Sequence, residues 1–187
     1  MEKTAVRSFM VPLSEYATVS QDATLFEAVL ALEKAQQTMD RDRSPYLHRA
    51  VLVLDEKNAV LGKVGQLDVL RALEPRVTHM EEGKAVSRAG FSPELLHSVA
   101  QEYALLNKPL RDLCTKAANA KVREFMHTPE EAEFIDENAE LGVAVNALVM
   151  GGYQSLLVRA GERIVGILRL TDVFTFVSGA VKSCDLG

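Results

Sequence analysis

The chain has no tryptophan, two cysteines and four histidines among 187 residues, and each scarcity removes a class of function. Cys114 and Cys184 stand apart, without CxxC spacing or a neighbouring histidine, so neither a zinc site nor a thioredoxin-type redox pair is expected. Two isolated thiols suit a reducing compartment, and a cytoplasmic location is the expectation. His48, His79, His97 and His127 are scattered, and no GxxxxGK[ST], HExxH or GxSxG motif occurs. The pair Gly151-Gly152 follows a helical stretch rather than a strand, which is the wrong setting for a dinucleotide fingerprint. The chain is therefore not expected to be an enzyme, and no obligatory cofactor is implied.

Basic charge is short as well. Lys and Arg number 21 against 26 Asp and Glu, a formal charge of −5, which leaves no electrostatic footprint for a nucleic-acid duplex or an anionic membrane. The most apolar runs, Ala144 to Met150 and Val165 to Leu168, fall far below the roughly 20 residues of a spanning helix. The first twenty residues lack a basic stretch followed by an apolar run, so no export signal is expected.

What is present is an apolar fraction of 48%, enough for a real core, and an internal repeat. Val6-Arg7-Ser8-Phe9-Met10 returns as Val122-Arg123-Glu124-Phe125-Met126, 116 positions later. The same spacing carries Val19 onto Ile135, Leu25 onto Leu141, Ala28 onto Ala144 and Leu32 onto Leu148. Further on, Leu52-Val53-Leu54 matches Leu156-Leu157-Val158, and Leu61 to Val64 matches Val165 to Leu168, at a spacing of 104. The first copy therefore holds twelve additional residues, placed in the polar run Gln36 to Pro45 as a surface loop.

Each copy reads as strand, helix, strand, strand, helix. Helical spacing runs from Thr24 to Leu32, with Asp22 as a candidate cap, and again from Glu140 to Met150, closed by Gly151-Gly152. Short apolar runs on either side of Asp55-Glu56-Lys57-Asn58 predict a hairpin, repeated around Ala160-Gly161-Glu162. Helices starting near Asp68 and Asp172 close the units. Between the copies, Ser92-Pro93-Glu94 opens a helical stretch, and Pro109 breaks it and starts another. The predicted division is residues 4–75, a helical linker insertion over 76–119, and residues 120–183.

A duplicated unit that opens near Phe-Met and closes with Gly-x-apolar-x-x-x-Asp resembles a CBS domain, and the tandem resembles a CBS pair, or Bateman module. The resemblance implies an α/β fold in which two β-α-β-β-α units pack about a pseudo-twofold axis, creating two related clefts. It also implies binding of AMP, ADP, ATP or S-adenosylmethionine, assembly as a homodimer, and regulation of a separate partner protein. In such units the closing Asp receives ribose hydroxyls, here Asp68 and Asp172, and a hydroxyl three residues earlier meets a phosphate. This chain has Gly65 and Arg169 at those two positions.

Each departure has two readings. Asp68 and Asp172 serve either as helix caps or as acceptors for a vicinal diol. Gly65 permits close backbone approach of an anion, and Arg169 offers phosphate a planar donor array or is a solvated arginine. His127 and Thr128 border a cleft where Val11 and Pro12 offer no polar group, so the second cleft is expected to be the better equipped. Thr18, Tyr153 and Ser155 are further lining candidates, though a lone tyrosine beside a strand is commonly packing. Loss of ligand binding, leaving an interaction or dimerisation module, is the alternative that Gly65 and Arg169 raise.

Overall fold

The computed structural model describes residues 4–38, 46–73 and 109–183. Its elements are β1 (Val11–Pro12), β2 (Thr18–Ser20), α1 (Leu25–Thr38), β3 (Ala50–Leu54), β4 (Val60–Gly65), α2 (Gln66–Leu73), α3 (Leu110–Ala118), β5 (Phe134–Asp136), α4 (Leu141–Gly151), β6 (Ser155–Ala160), β7 (Arg163–Arg169) and α5 (Leu170–Ser183). The helix expected after Pro109 is α3, whereas the stretch opened by Ser92-Pro93 and the loop residues 39–45 lie outside the described residues.

Two sheets form, ordered β2-β3-β4 and β1-β7-β6-β5. In each, a parallel pair spans a helical crossover and an antiparallel hairpin follows: β2 with β3 then β3 with β4, and β5 with β6 then β6 with β7. Strand alternation explains why both faces are buried. Val51 and Val53 turn towards Ala28 of α1, while Leu52 between them meets Leu157 and Ile167 of the other sheet. Leu156 and Val158 turn the opposite way, towards Ala144 and Leu148 of α4. One core thus lies between the sheets and one beneath each helical layer.

The opening segment of each repeat is packed on the other unit. Val6 N–H donates to Ala139 O, and Val122 N–H donates to Ala23 O, both at 2.9 Å. Leu141 N–H bonds Thr4 O and Leu25 N–H bonds Ala120 O in the same reciprocal way. Val11 pairs with Ile167 at the edge of one sheet, as His127 pairs with Lys63 beside the other. Val6 and Val122, both 0% exposed, are the apolar anchors of the two exchanges. A Cβ on Gly62 would sit 2.6 Å from His127 O, and one on Gly166 would sit 2.6 Å from Val11 O. Glycine is thus required in both hairpins because another backbone passes there.

Two details differ from the sequence expectation. Thr24, not Asp22, caps α1: its Oγ1 accepts from Glu27 N–H while its own N–H donates to the Glu27 carboxylate, a capping box. Asp22 is engaged instead by Arg123. Helix α1 continues through Gln36 and Gln37 to Thr38, into the run read as loop, because Gln36 Nε2 bonds His48 O and Thr38 Oγ1 bonds Lys34 O. Helix α4 does end at the glycine pair, with Gly152 at φ 64°. Among the described residues, no helix is long and apolar enough to cross a membrane.

Candidate functional site

β7 ends and α5 begins at Arg169, so the guanidinium and the Asp172 carboxylate, one helical turn apart, face each other. Nε donates to Oδ2 at 2.6 Å and Nη2 to Oδ1 at 2.5 Å, a fork-on-fork pair. Nη1 donates to Tyr46 O at 2.9 Å and lies 3.2 Å from His48 Nδ1. Arg169 is 5% exposed and His48 1% exposed. Burial, and after it the charge of Arg169, holds the His48 imidazole below its usual value, so the neutral ring accepts through Nδ1. Tyr16 tilts against that ring at 4.4 Å between centroids, and burial pushes its phenol up to about 12.

These groups form one wall of a cleft of about 1030 Å³, completed by Phe9, Thr18, Lys34 and Phe176. The rings of Phe9 and Phe176 lie 4.8 Å apart. Phe9 comes from the first repeat and Phe176 from α5 of the second, so the exchanged opening segment builds the cleft rather than merely covering it. The cleft is amphipathic: aromatic faces and short apolar side chains on one part, Arg169, Asp172 and the Lys34 amine on another. Such a lining suits a ligand with a flat ring at one end and a charged group at the other.

A second polar network lies on β4 and the segment before β5. Lys63 Nζ donates to Glu133 Oε2 at 2.7 Å and sits 3.5 Å from Ser155 Oγ, while His127 Nε2 bonds Glu133 Oε1 and Glu130 N–H bonds that same oxygen at 3.2 Å. Burial alone would raise the Glu133 carboxyl, but the bonds from Lys63 and His127 outweigh it and hold the group below the usual carboxylate value.

The CBS domain family matches the chain over residues 6–75. Over that stretch the chain matches a CBS domain. No curated relative matches it in sequence, but solved structures share its fold over nearly its whole length. An uncharacterized conserved protein from Pyrococcus horikoshii superposes with a TM-score of 0.58 at 13% identity, covering 100% of this chain and 98% of that one. CBSX2 in complex with AMP gives 0.57 at 17% identity, covering 96% and 97%. The CBS domain of a CBS domain-containing membrane protein from Sphaerobacter thermophilus gives 0.58 at 18%, covering 92% and 87%.

Within this CBS-domain fold the sequence-derived candidates separate into groups. Thr18, Arg169 and Asp172 come together in the open cleft. Gly65 and Asp68 are joined to each other, Gly65 N–H donating to Asp68 Oδ2 at 2.8 Å, with Arg71 3.3 Å from the other oxygen; this is the capping role. His127 and Ser155 belong to the Lys63–Glu133 network. Thr128 is exposed, and Tyr153 packs against the core beneath α4. The expectation that His127 and Thr128 equip the better cleft is corrected: the segment exchange sends them to β4 and brings Val11 and Pro12 to Arg169 and Asp172. Sequence reasoning missed Tyr16, His48, Lys63 and Glu133. A signal existed for two of them: Glu133 aligns with Ala17 and Lys63 with Ile167, charged residues where the other copy is apolar.

Proposed function

We propose that this protein is a regulatory sensor of adenine nucleotides that takes its ligand in the Arg169–Asp172 cleft and acts on a separate partner protein. The observation that carries this reading is the cleft itself, which combines Arg169 and Asp172 with the mutually tilted rings of Phe9 and Phe176. The fold shared with an AMP complex supports it, and so does the typically regulatory rather than catalytic role of CBS domains. A ligand at about a hundred times its dissociation constant adds about 2.7 kcal/mol of stability. For a chain this long that corresponds to a rise in Tm of roughly 5–11 °C. Thermal-shift titration with AMP, ADP, ATP and S-adenosylmethionine should give a saturable rise with at least one; no response to any at millimolar concentration sinks the reading.

A second reading, an interaction module without a ligand, draws on one observation: both Asp172 oxygens are already taken by Arg169. Under either reading we propose a second copy of the chain as a partner. Its apolar contact would draw on α5, where Phe174, Val177 and Val181 recur on one face and stay exposed.

A further inference from the structure

The Arg169–Asp172 pair is closed on itself in a cleft otherwise shaped for a ligand, and the way it is closed determines what can open it. The argument rests on the nucleotide reading of this cleft. Asp172 presents the carboxylate that a vicinal diol needs, yet each oxygen already accepts a charge-assisted bond from Arg169, and its side chain is only 15% exposed. Two neutral hydroxyls cannot match a bidentate guanidinium–carboxylate pair, since charge-assisted bonds are about twice as strong as neutral ones. A phosphate can, because it offers the same planar guanidinium an acceptor of equal kind and greater charge.

We infer that Arg169 is a phosphate-operated gate: a nucleotide's phosphate draws the guanidinium off Asp172, and the freed carboxylate then receives the ribose hydroxyls. Only a ligand carrying both groups opens the pair. Arg169 therefore selects phosphorylated nucleosides against bare ones, a task that a serine or threonine at this position could not perform, because neither would hold Asp172 closed. The exchange also withdraws Nη1 from Tyr46 O, at the approach to β3, so the gate is coupled to the backbone beside the cleft.

The test is calorimetric titration of the intact chain with AMP and with adenosine, in wild type, Arg169→Gln and Asp172→Asn. Wild type should bind AMP at least a hundredfold more tightly than adenosine. In Arg169→Gln the carboxylate is open from the start, so AMP should weaken about tenfold while adenosine tightens about tenfold, collapsing the preference. Asp172→Asn, which removes the latch and leaves one neutral amide oxygen in place of the two-oxygen diol acceptor but keeps the guanidinium, should retain AMP and gain no adenosine; circular dichroism confirms that each variant is folded. AMP binding in wild type with an unchanged AMP-to-adenosine ratio in Arg169→Gln overturns the gate and leaves the nucleotide reading standing. Tightened adenosine in Asp172→Asn also overturns it. Absence of AMP binding in wild type overturns the nucleotide reading, and the gate with it.

Discussion

Removing the Lys63 ammonium by Lys63→Ala leaves the Glu133 carboxylate, 2% exposed, with His127 and the Glu130 N–H as its remaining partners among the described residues. Stripping one partner from a buried ion pair costs about 3–5 kcal/mol. The Lys63 side chain is 15% exposed and the remaining two bonds persist, which puts the expected loss at the low end, about 3 kcal/mol. For a chain of this length that is a fall in Tm of roughly 6–12 °C. The linkage has a definite sign: Glu133 is held below its ordinary value, so its contribution is present above the unfolded carboxylate pKa and is lost as pH falls through the folded one. The gap between wild type and Lys63→Ala, read by urea unfolding, should be widest near neutrality and narrow in acid. Combining Lys63→Met with Glu133→Gln should recover part of the loss, because no lone buried charge remains. A loss below about 1 kcal/mol, or strictly additive single and double variants, refutes the argument that Lys63 and Glu133 neutralise each other inside the fold.

The other predictions address packing and pH. Gly166→Ala should destabilise by about 1–3 kcal/mol, since its Cβ would meet the backbone oxygen of Val11. Gly142→Ala on α4, with nothing within 4 Å, should stabilise by about 0.5–1 kcal/mol, and equal denaturant midpoints for the two would contradict the close-approach account. His48, held below its usual value, contributes stability that is complete above about pH 6.5 and lost as pH falls through its folded pKa. Wild type should therefore lose Tm more steeply than His48→Asn on acidification below pH 6.5; parallel curves would show that the ring beside Arg169 does not carry the effect.

The repeat made most of the scaffold legible. Helices α1 and α4 show their apolar spacing twice, and the hairpins around Asn58 and Gly161 show theirs twice, so each copy corrected the other's boundaries. What pattern reading does not carry is which unit a segment packs on. Val6 and Val122 are apolar residues in equivalent places, and nothing in their own neighbourhoods says that each is buried beneath the other copy's helix. The site depended on that fact, since it decides whether His127 or Val11 stands beside Arg169. The residue identities at Arg169 and Asp172 were readable; their mutual engagement was not, because a helix-starting aspartate looks the same in sequence whether it caps a backbone N–H, as Asp68 does, or receives a side chain, as Asp172 does.

Duplication supplies two equivalent positions, and the differences between the copies lie where the chemistry is. Ala17 packs beneath α1 and Ile167 between the sheets, and the polar side chains Arg169, Asp172 and His48 stand on the wall of an open cleft. At the matching repeat positions Glu133 and Lys63 replace those two apolar residues, and each buried charge meets its opposite. A buried carboxylate and ammonium hold together because each offsets the other's loss of water. An anion arriving beside Lys63 would have to separate that pair and strand Glu133 without its main partner, whereas an anion arriving beside Arg169 would release Asp172 onto a cleft wall, where hydroxyls or water can take its bonds. The same exchange of partners is therefore costly at Lys63 and reversible at Arg169, and this difference separates the Lys63–Glu133 network from the Arg169–Asp172 cleft.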